Sequence, residues 1–258
     1  SVLYAAKKLG IKEIYSMGGA QAIASLTYIQ KVNKIVGPGN IYVARSKREV
    51  FGDVGIEGMI AGPSEITVLA DNKTDLDDVT TSMIGQAEHD INSQCVLITK
   101  DKNLVNKFKA DVVQKLKKLP RKNIATKSLR NNGLILLAKN DKQIVDLINE
   151  IAPEHLELNV YNYKNYLNKI HNAGSICIGR YSPMAVSDYN VGTNHVLPTL
   201  GSAKFSSGLN LNEFYKKISH ITLTKKGIEK IGEYATHLAE YEELDGHAQS
   251  IRSRMKGK

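Results

Sequence analysis

Residues 62–99 read GPSEITVLADNKTDLDDVTTSMIGQAEHDINSQCVLIT, and this stretch decides the fold class. Glu65–Ala70 (EITVLA) and Gln94–Thr99 (QCVLIT) are short apolar runs bounded by polar turns, a pattern typical of buried strands. Between them a helix begins at Thr74, and acidic residues occupy its first turns, where the helix dipole favours them. The stretch therefore predicts a strand, a helix and a second strand of an α/β sheet.

The same alternation continues on both sides of this stretch. Gly18-Gly19 and Gly37-Pro38-Gly39-Asn40 are glycine turns that each follow a predicted strand and precede a helix, as in doubly wound sheets that bind nucleotides. Neither turn matches the GxGxxG pattern, so a glycine needed only for the turn is the alternative. The further predicted strands are Lys12–Met17, Lys34–Val36, Leu134–Ala138 and Ser175–Ile178, and the further predicted helices end near Gly10, Tyr28, Glu49, Leu119 and Ile151.

These elements predict an α/β protein with two incomplete nucleotide-fold-like (Rossmann-like) domains and a helical C-terminal tail. The predicted domains are residues 1–63, on the NAD side, and residues 64–209, and the predicted tail is residues 210–258. Residues 180–209 show no periodicity, and a long irregular segment in a compact domain is usually functional. The tail has little apolar content of its own, so we expect it to pack on something else, such as another subunit.

The composition of the chain indicates which classes of partner and which cellular compartment to expect. The chain has 258 residues, of which 42% are hydrophobic, and a net charge of +9. Much of the excess is lysine on amphipathic segments without interleaved aromatic residues, which favours a solvated helix face over a nucleic-acid surface. No apolar run approaches the roughly 18 residues of a membrane span. Cys95 and Cys177 lie in apolar runs, so we expect buried thiols and a reducing, cytoplasmic compartment, with neither nucleic acid nor membrane as partner.

Several side chains are candidates for a metal site. Gln86 and His89 are three residues apart in a predicted helix and therefore share one face. Zinc usually takes at least three protein ligands, and Asp188 and His247 would complete one plausible set of nitrogen and oxygen donors, which suits zinc and, less well, manganese or iron. A histidine on a helix is more often an ordinary surface or core residue, and this alternative stays open.

Glu154-His155 follow Pro153, which ends a predicted helix, and place an acid beside a base. Adjacent residues in an extended segment point in opposite directions, so the two would do separate jobs, one directly and one through a water. The alternative is a helix-terminal pair in which His155 faces the negative end of the dipole. In the irregular stretch His195 could bind a carboxylate or orient a base, and Ser64 could hydrogen-bond a polar ligand.

Taken together, these motifs resemble the histidinol dehydrogenase family over essentially the whole chain. They occur in the family's order, which makes the resemblance specific although no single motif is. The motifs are Gly18–Ala22, Gly37–Asn40, Ala61–Glu65, Gln86–Asp90, Ala152–Leu156, Asp188-Tyr189 with Asn194–Thr199, and Glu242–His247.

The resemblance implies a zinc- and NAD-dependent oxidoreductase that converts L-histidinol through L-histidinaldehyde to L-histidine with two NAD, the last two steps of histidine biosynthesis. It implies one zinc ion per subunit, with His155 as the base for the alcohol proton and Glu154 as the residue that activates water. The implied zinc ligands are Gln86, His89, Asp188 and His247. The implied substrate-binding residues are Ser64, Gln86, His89, His155, Asp188, His195, Glu242 and His247, and Gln21 and Asn40 would contact NAD.

The resemblance also implies a homodimer with shared active sites, in which the tail with Glu242 and His247 reaches the partner's pocket. Two departures stand against it. The first is that the family's N-terminal part is missing. We therefore expect the chain to be a piece of a longer enzyme that can bind metal, and whether this piece catalyses the reaction by itself stays open. The link from Tyr28 to Lys31 is also shorter than in the family. Two other functions stay open, a zinc hydrolase using Glu154 and a non-catalytic remnant.

Overall fold

The computed structural model describes residues 1–57 and 62–255. The chain forms two compact units, Ser1–Phe214 and Tyr215–Lys258. The predicted domain boundaries at residues 63/64 and 209/210 stay predictions. Ala61, part of one predicted motif, lies outside the described residues.

All strands of the first unit that the structure describes pair in parallel. Two short ones form a small sheet, and five form a larger sheet in the order β5-β4-β3-β6-β7. The strands are β1 (Lys34–Ile35), β2 (Gly55–Ile56), β3 (Glu65–Ala70), β4 (Gln94–Thr99), β5 (Gly133–Leu137), β6 (His155–Asn159) and β7 (Ser175–Ile178).

Helices connect these strands, and the last two helices of the chain lie in the second unit. A π-helical turn at Ser25–Ile29 and 3₁₀ turns at Ser202–Lys204 and Leu211–Phe214 complete the described elements. The helices are α1 (Val2–Lys8), α2 (Gly19–Ala24), α3 (Ile41–Glu49), α4 (Leu76–Ala87), α5 (Lys102–Lys118), α6 (Lys122–Asn132), α7 (Asp141–Ile151), α8 (Lys164–Leu167), α9 (Met184–Tyr189), α10 (Lys225–Tyr241) and α11 (Asp245–Met255).

The five-stranded sheet is covered on both faces, which is why its inner strands β3 and β4 are largely apolar runs. Every residue of β3 is buried, and side chains alternate between the faces. Ile66 and Val68 pack in one core with residues of α4, α5 and α6, whereas Leu69 packs in a second core with residues of α7. Chain order runs from β3 through β4 to β5 and then returns to β6 on the other side of β3, which is the reversal of a doubly wound fold.

The predicted α/β class is confirmed, and so are the strand bounds at Glu65–Ala70, Gln94–Thr99 and Ser175–Ile178. The strand predicted at Lys12–Met17 is wrong. That segment is irregular in the structure, and Ile14 is half exposed, so it forms no sheet on which an apolar face could be buried.

The sequence pattern also missed five strands and helices: β2, β6, α6, α8 and α9. β6 was missed because its letters, HLELN, combine buried apolar residues with a buried histidine and a buried glutamate. Helix α6 was not predicted, and helix α9 lies inside residues 180–209, which showed no periodicity. These elements depend on tertiary burial and not on a local hydrophobic period.

The second unit begins with irregular chain and then contains the helices α10 and α11, which pack on each other. Gly232 of α10 is in close contact with Met255 of α11, and Arg252 forms an ion pair with Glu240. The prediction of a helical tail from residue 210 is therefore confirmed for Lys225–Tyr241 and Asp245–Met255, whereas residues 215–224 are irregular. Within residues 1–57 and 62–255, no helix has the length and apolar character that crossing a membrane requires.

Both thiols should react slowly in the folded chain. Cys95 of β4 is fully buried, and burial raises its pKa to about 12, while burial raises the pKa of half-buried Cys177 of β7 to about 11. Only the thiolate is a good nucleophile, so roughly one thiol in a thousand or fewer is reactive at pH 8. We expect iodoacetamide at pH 8 to label neither cysteine of the native chain quickly and both after denaturation, as measured by mass spectrometry. Fast labelling of native Cys177 would contradict this expectation.

Candidate active site

The candidate site lies at the amino edge of the five-stranded sheet. Glu65, His155 and Ser175 are the first residues of three adjacent strands, β3, β6 and β7. The register pairs Ile66 with His155 and His155 with Ser175. Because the strands are parallel, their first residues meet at one edge. Ligands of doubly wound sheets usually bind at the opposite, carboxyl edge, so this arrangement departs from the common rule.

His155 is 2% exposed and is held on both sides of its ring. Its Nδ1 lies 3.0 Å from Ser175 Oγ, and its Nε2 lies 3.7 Å from Asp188 Oδ1 and 3.9 Å from Glu154 Oε1. Where the serine oxygen accepts from Nδ1–H, Nε2 keeps the lone pair that takes up a proton or binds a metal. Burial holds the pKa of His155 below its ordinary value, against the opposing effect of Asp188.

Glu154 faces His155 from just before the start of β6. Its Oε2 accepts from the Glu65 backbone N–H at 2.8 Å, and burial raises its pKa to about 8. The expectation that Glu154 and His155 point apart is wrong, since their side chains approach to 3.9 Å. Glu154 precedes the strand, so the alternation of strand side chains does not govern it. A carboxyl with such a pKa can both hold and release a proton near neutral pH.

Asp188 is carried by α9, and a buried carboxylate anchors the start of that helix. Glu157 lies two residues after His155 on β6 and is 2% exposed. Its Oε1 accepts from the Met184 backbone N–H at 2.6 Å, at the amino end of α9. Asp188 Oδ1 in turn accepts from His195 Nδ1 at 2.9 Å, if that nitrogen carries the proton. Strand β6 therefore positions His155 directly and Asp188 through Glu157.

Gln86 and His89 lie at the end of α4 and just beyond it. Gln86 is 1% exposed, and its Nε2 has no hydrogen-bond partner among the described residues. His89 is exposed, and it is close enough to contribute to the lowered pKa of His155.

Three side chains of the site already have the geometry of a metal-binding group. One ligand atom each from His155, Asp188 and His195 lies within 4.8 Å of the other two. Two imidazole nitrogens and a carboxylate oxygen suit zinc. The residues present thus fit a zinc ion, although this group shares only Asp188 with the predicted ligand set.

A cavity of about 330 Å³ opens beside these residues. Its walls come from the Gly37–Asn40 turn, from the approach to β3 and from the segment after His195. The lining residues are Pro38, Gly39, Gly62, Ser64, Glu154, His195, Val196, Leu197 and Thr199.

The residues predicted to contact NAD are exposed and are not among those that line this cavity. Asn40 caps α3, since its Oδ1 accepts from the backbone N–H groups of Tyr42 and Val43 at 3.1 Å each. Gln21 lies on α2.

Glu242 and His247 belong to the second unit. Glu242 follows the last residue of α10, His247 lies in the first turns of α11, and both are exposed.

Comparison with known proteins identifies the family. A sequence profile of histidinol dehydrogenase matches residues 1–255. The chain belongs to the histidinol dehydrogenase family. It is 56% identical to the histidinol dehydrogenase of Pelagibacter ubique, over 100% of this chain and 61% of that protein. It is 48% identical to that of Listeria monocytogenes, over 99% of this chain and 60% of that protein.

A solved structure of the same family agrees with the fold. The crystal structure of histidinol dehydrogenase from Elizabethkingia anophelis superimposes with a TM-score of 0.92 at 41% identity, over 99% of this chain and 60% of that one. The chain thus spans about 60% of the length of the histidinol dehydrogenases that it matches.

Four residues of the site were missed by the reading of the sequence: Glu65, Glu157, Gly174 and Ser175. Ser175 could not be recognised from the sequence, because β6 was not predicted and only the pairing of β6 with β7 sets Ser175 beside His155. Glu65 and Glu157 carried a weak signal, since an acid inside an apolar strand is rarely buried without a partner. Gly174 gave no signal, because only the folded chain brings it against Glu154.

Gly174 leaves no room for a side chain. A Cβ at this position would lie 2.6 Å from the Glu154 carbonyl oxygen and 3.2 Å from Pro198 Cδ. Gly174→Ala should therefore lower the free energy of unfolding by about 1–3 kcal/mol, measured by chemical denaturation. As control, Gly85→Ala places a methyl in a helix where it would meet no heavy atom within 4 Å other than its chain neighbours and the backbone of its own helix, and it should raise stability by up to about 1 kcal/mol. Equal midpoints for Gly174→Ala and the unaltered chain would contradict the assigned packing.

Proposed function

We propose that this chain is the larger part of an enzyme that oxidises L-histidinol through L-histidinaldehyde to L-histidine, reducing two NAD in histidine biosynthesis. One observation carries the proposal. In a chain of this family, the buried Glu154–His155 pair converges with Asp188 and His195 beside a cavity. This combination supplies a base, an acid and a set of metal donors in one place.

His155 is the proposed base of the first oxidation. Its Nε2 takes the proton of the substrate hydroxyl while hydride passes from the same carbon to NAD, which leaves the aldehyde. The contact between Nδ1 and Ser175 Oγ at 3.0 Å supports this role, because it fixes the ring with Nε2 toward Asp188 and Glu154.

Glu154 is the proposed base of the second oxidation. It takes a proton from the water that adds to the aldehyde, and hydride then passes from the resulting hydrate to a second NAD, which yields the carboxylate. Its hydrogen bond from the Glu65 N–H supports this role, since the bond engages Oε2 and leaves Oε1 on the side of His155.

Gln86, His89, Asp188 and His247 are the proposed zinc ligands, and Asp188 is the member that also belongs to the compact group with His155 and His195. When bound, zinc would hold the substrate imidazole and amine in place, a templating role. Ser64, His195 and Glu242 are proposed to complete the substrate pocket, and Gln21 and Asn40 to contact NAD.

We further propose a homodimer with shared sites, to which the second unit contributes Glu242 and His247. An exposed apolar stripe on α10 supports this proposal. Ile231, Tyr234 and Leu238 are 47%, 73% and 64% exposed, and their spacing places them on one helix face. Such a stripe is usually covered in the functional assembly.

The proposed activity is tested by adding L-histidinol and NAD to metal-loaded protein and recording NADH absorbance, with and without a chelator. The chain is compared with the same chain extended to the length of its relatives. The proposal is supported if either form produces two NADH per histidinol, if a chelator stops this reaction, and if added zinc restores it. If neither form produces NADH, the proposal is overturned. Hydrolysis of an amide or ester without NAD would favour the hydrolase alternative.

Substitution of each proposed base should slow a different one of the two oxidation steps. In the active form, His155→Asn should slow oxidation of histidinol, and Glu154→Gln should slow oxidation of histidinaldehyde more than that of the alcohol. The loss for one general base is about 100- to 10,000-fold. Each substrate is supplied separately, and NADH formation is followed.

Matched controls are available outside the site. His171→Asn and Glu150→Gln make the same substitutions at exposed residues, and both should retain the unaltered rates. Normal rates in His155→Asn and Glu154→Gln would show that the assigned roles are wrong.

A further inference from the structure

Glu65 is a buried acid that no step of the proposed reaction uses. It is the first residue of β3 and is 5% exposed. Its Oε1 accepts from the Leu200 backbone N–H at 3.0 Å, while its Oε2 is buried without a hydrogen-bond partner among the described residues. Burying a carboxyl that is only half satisfied is costly, so a role beyond packing is expected.

The group that Glu65 binds lies in a strained turn. Leu200 has φ +54°, in the left-handed region, and Gly201 follows with φ +72°. A residue with a side chain holds this conformation only where its surroundings enforce it. Two hydrogen bonds tie this turn to the approach to β3, from Leu200 N–H to Glu65 and from Gly62 N–H to Thr199 Oγ1 at 2.6 Å.

The same turn ends the segment that forms one wall of the cavity. His195 and Leu197 line the cavity from this segment, and Glu154 lines it from another side. The backbone N–H of Glu65 donates to Glu154 Oε2 at 2.8 Å. Glu65 therefore contacts both walls, Glu154 through its main chain and the His195–Leu200 segment through its side chain.

We propose that Glu65 is a positioning residue that fastens the His195–Leu200 wall of the cavity at a set distance from Glu154. The catalytic consequence rests on the proposed oxidation of histidinol, whereas the contact itself does not. Without the acceptor at Leu200 the turn relaxes and the wall carrying His195 moves. Glu154 keeps its bond from the main chain of residue 65. Substrate binding should therefore suffer more than the chemical step.

The contact is tested first by hydrogen exchange of the Leu200 amide in this chain. Glu65→Gln keeps an oxygen acceptor of the same reach, and Glu65→Leu removes it. We expect Glu65→Leu to speed Leu200 exchange about tenfold, the effect of losing one net hydrogen bond, and Glu65→Gln to stay near the unaltered chain. Thr67→Val is the matched control, because it replaces another buried polar group on β3 and should leave Leu200 exchange unchanged.

If Glu65→Leu fails to fold, Glu65→Asp takes its place, since it keeps the carboxylate and withdraws it by one methylene. The same acceleration at Leu200 is expected. Unchanged exchange at Leu200 in a folded Glu65→Leu or Glu65→Asp chain would overturn the proposal. So would equal acceleration in Glu65→Gln, because the charge and not the acceptor would then hold the turn.

Kinetics of the active form then test the consequence. Glu65→Leu should raise the KM for histidinol about tenfold with a smaller change in kcat, and Glu65→Gln should restore both values. A fall in kcat at constant KM would overturn the positioning role. If the unaltered enzyme does not oxidise histidinol, the proposed function fails, and the exchange experiment still decides whether Glu65 holds the turn.

Discussion

Parallel pairing of β6 between β3 and β7 is the constraint on which the site depends. The hydrogen-bond ladder sets His155 beside Ser175 on one side and beside the start of β3 on the other. Glu154, immediately before β6, then reaches the main chain of Glu65. A slip of one residue in this register would turn the buried side chains of β6 to the opposite face of the sheet and move His155 away from Ser175.

The amino edge of the sheet tolerates buried acids because each one holds another part of the chain. Glu157 anchors the helix that carries Asp188, and Glu65 holds the turn at Leu200. Their positions explain why polar residues stand inside strands that are otherwise apolar. The same burial changes proton affinity at the edge, so that Glu154 retains a proton to higher pH and His155 loses one at lower pH. Structural support and acid–base chemistry thus come from one desolvated environment.

Because the site lies at the amino edge of the sheet, the connecting segments that reach this edge form the walls of the cavity. The segment after β7 returns to that edge through α9 and the residues around His195, and the Gly37–Asn40 turn borders the same cavity. At the carboxyl edge, where doubly wound folds usually bind ligands, Thr74 donates to the Asn159 carbonyl and the Tyr161 N–H donates to Asp71 at 3.1 Å, and a cavity of about 430 Å³ opens beside these residues.

The sequence by itself determined the α/β class, three of the strands to the residue, and the family, because these rest on local periodicity and on motif order. It also singled out Glu154, His155, Asp188 and His195 as chemically capable. Only the tertiary structure decided that these four converge, that β6 is a strand, and that Glu65, Glu157 and Ser175 support them. The physical reason is that a buried polar group is stable only with partners from distant strands, and no local pattern records which strands will be neighbours.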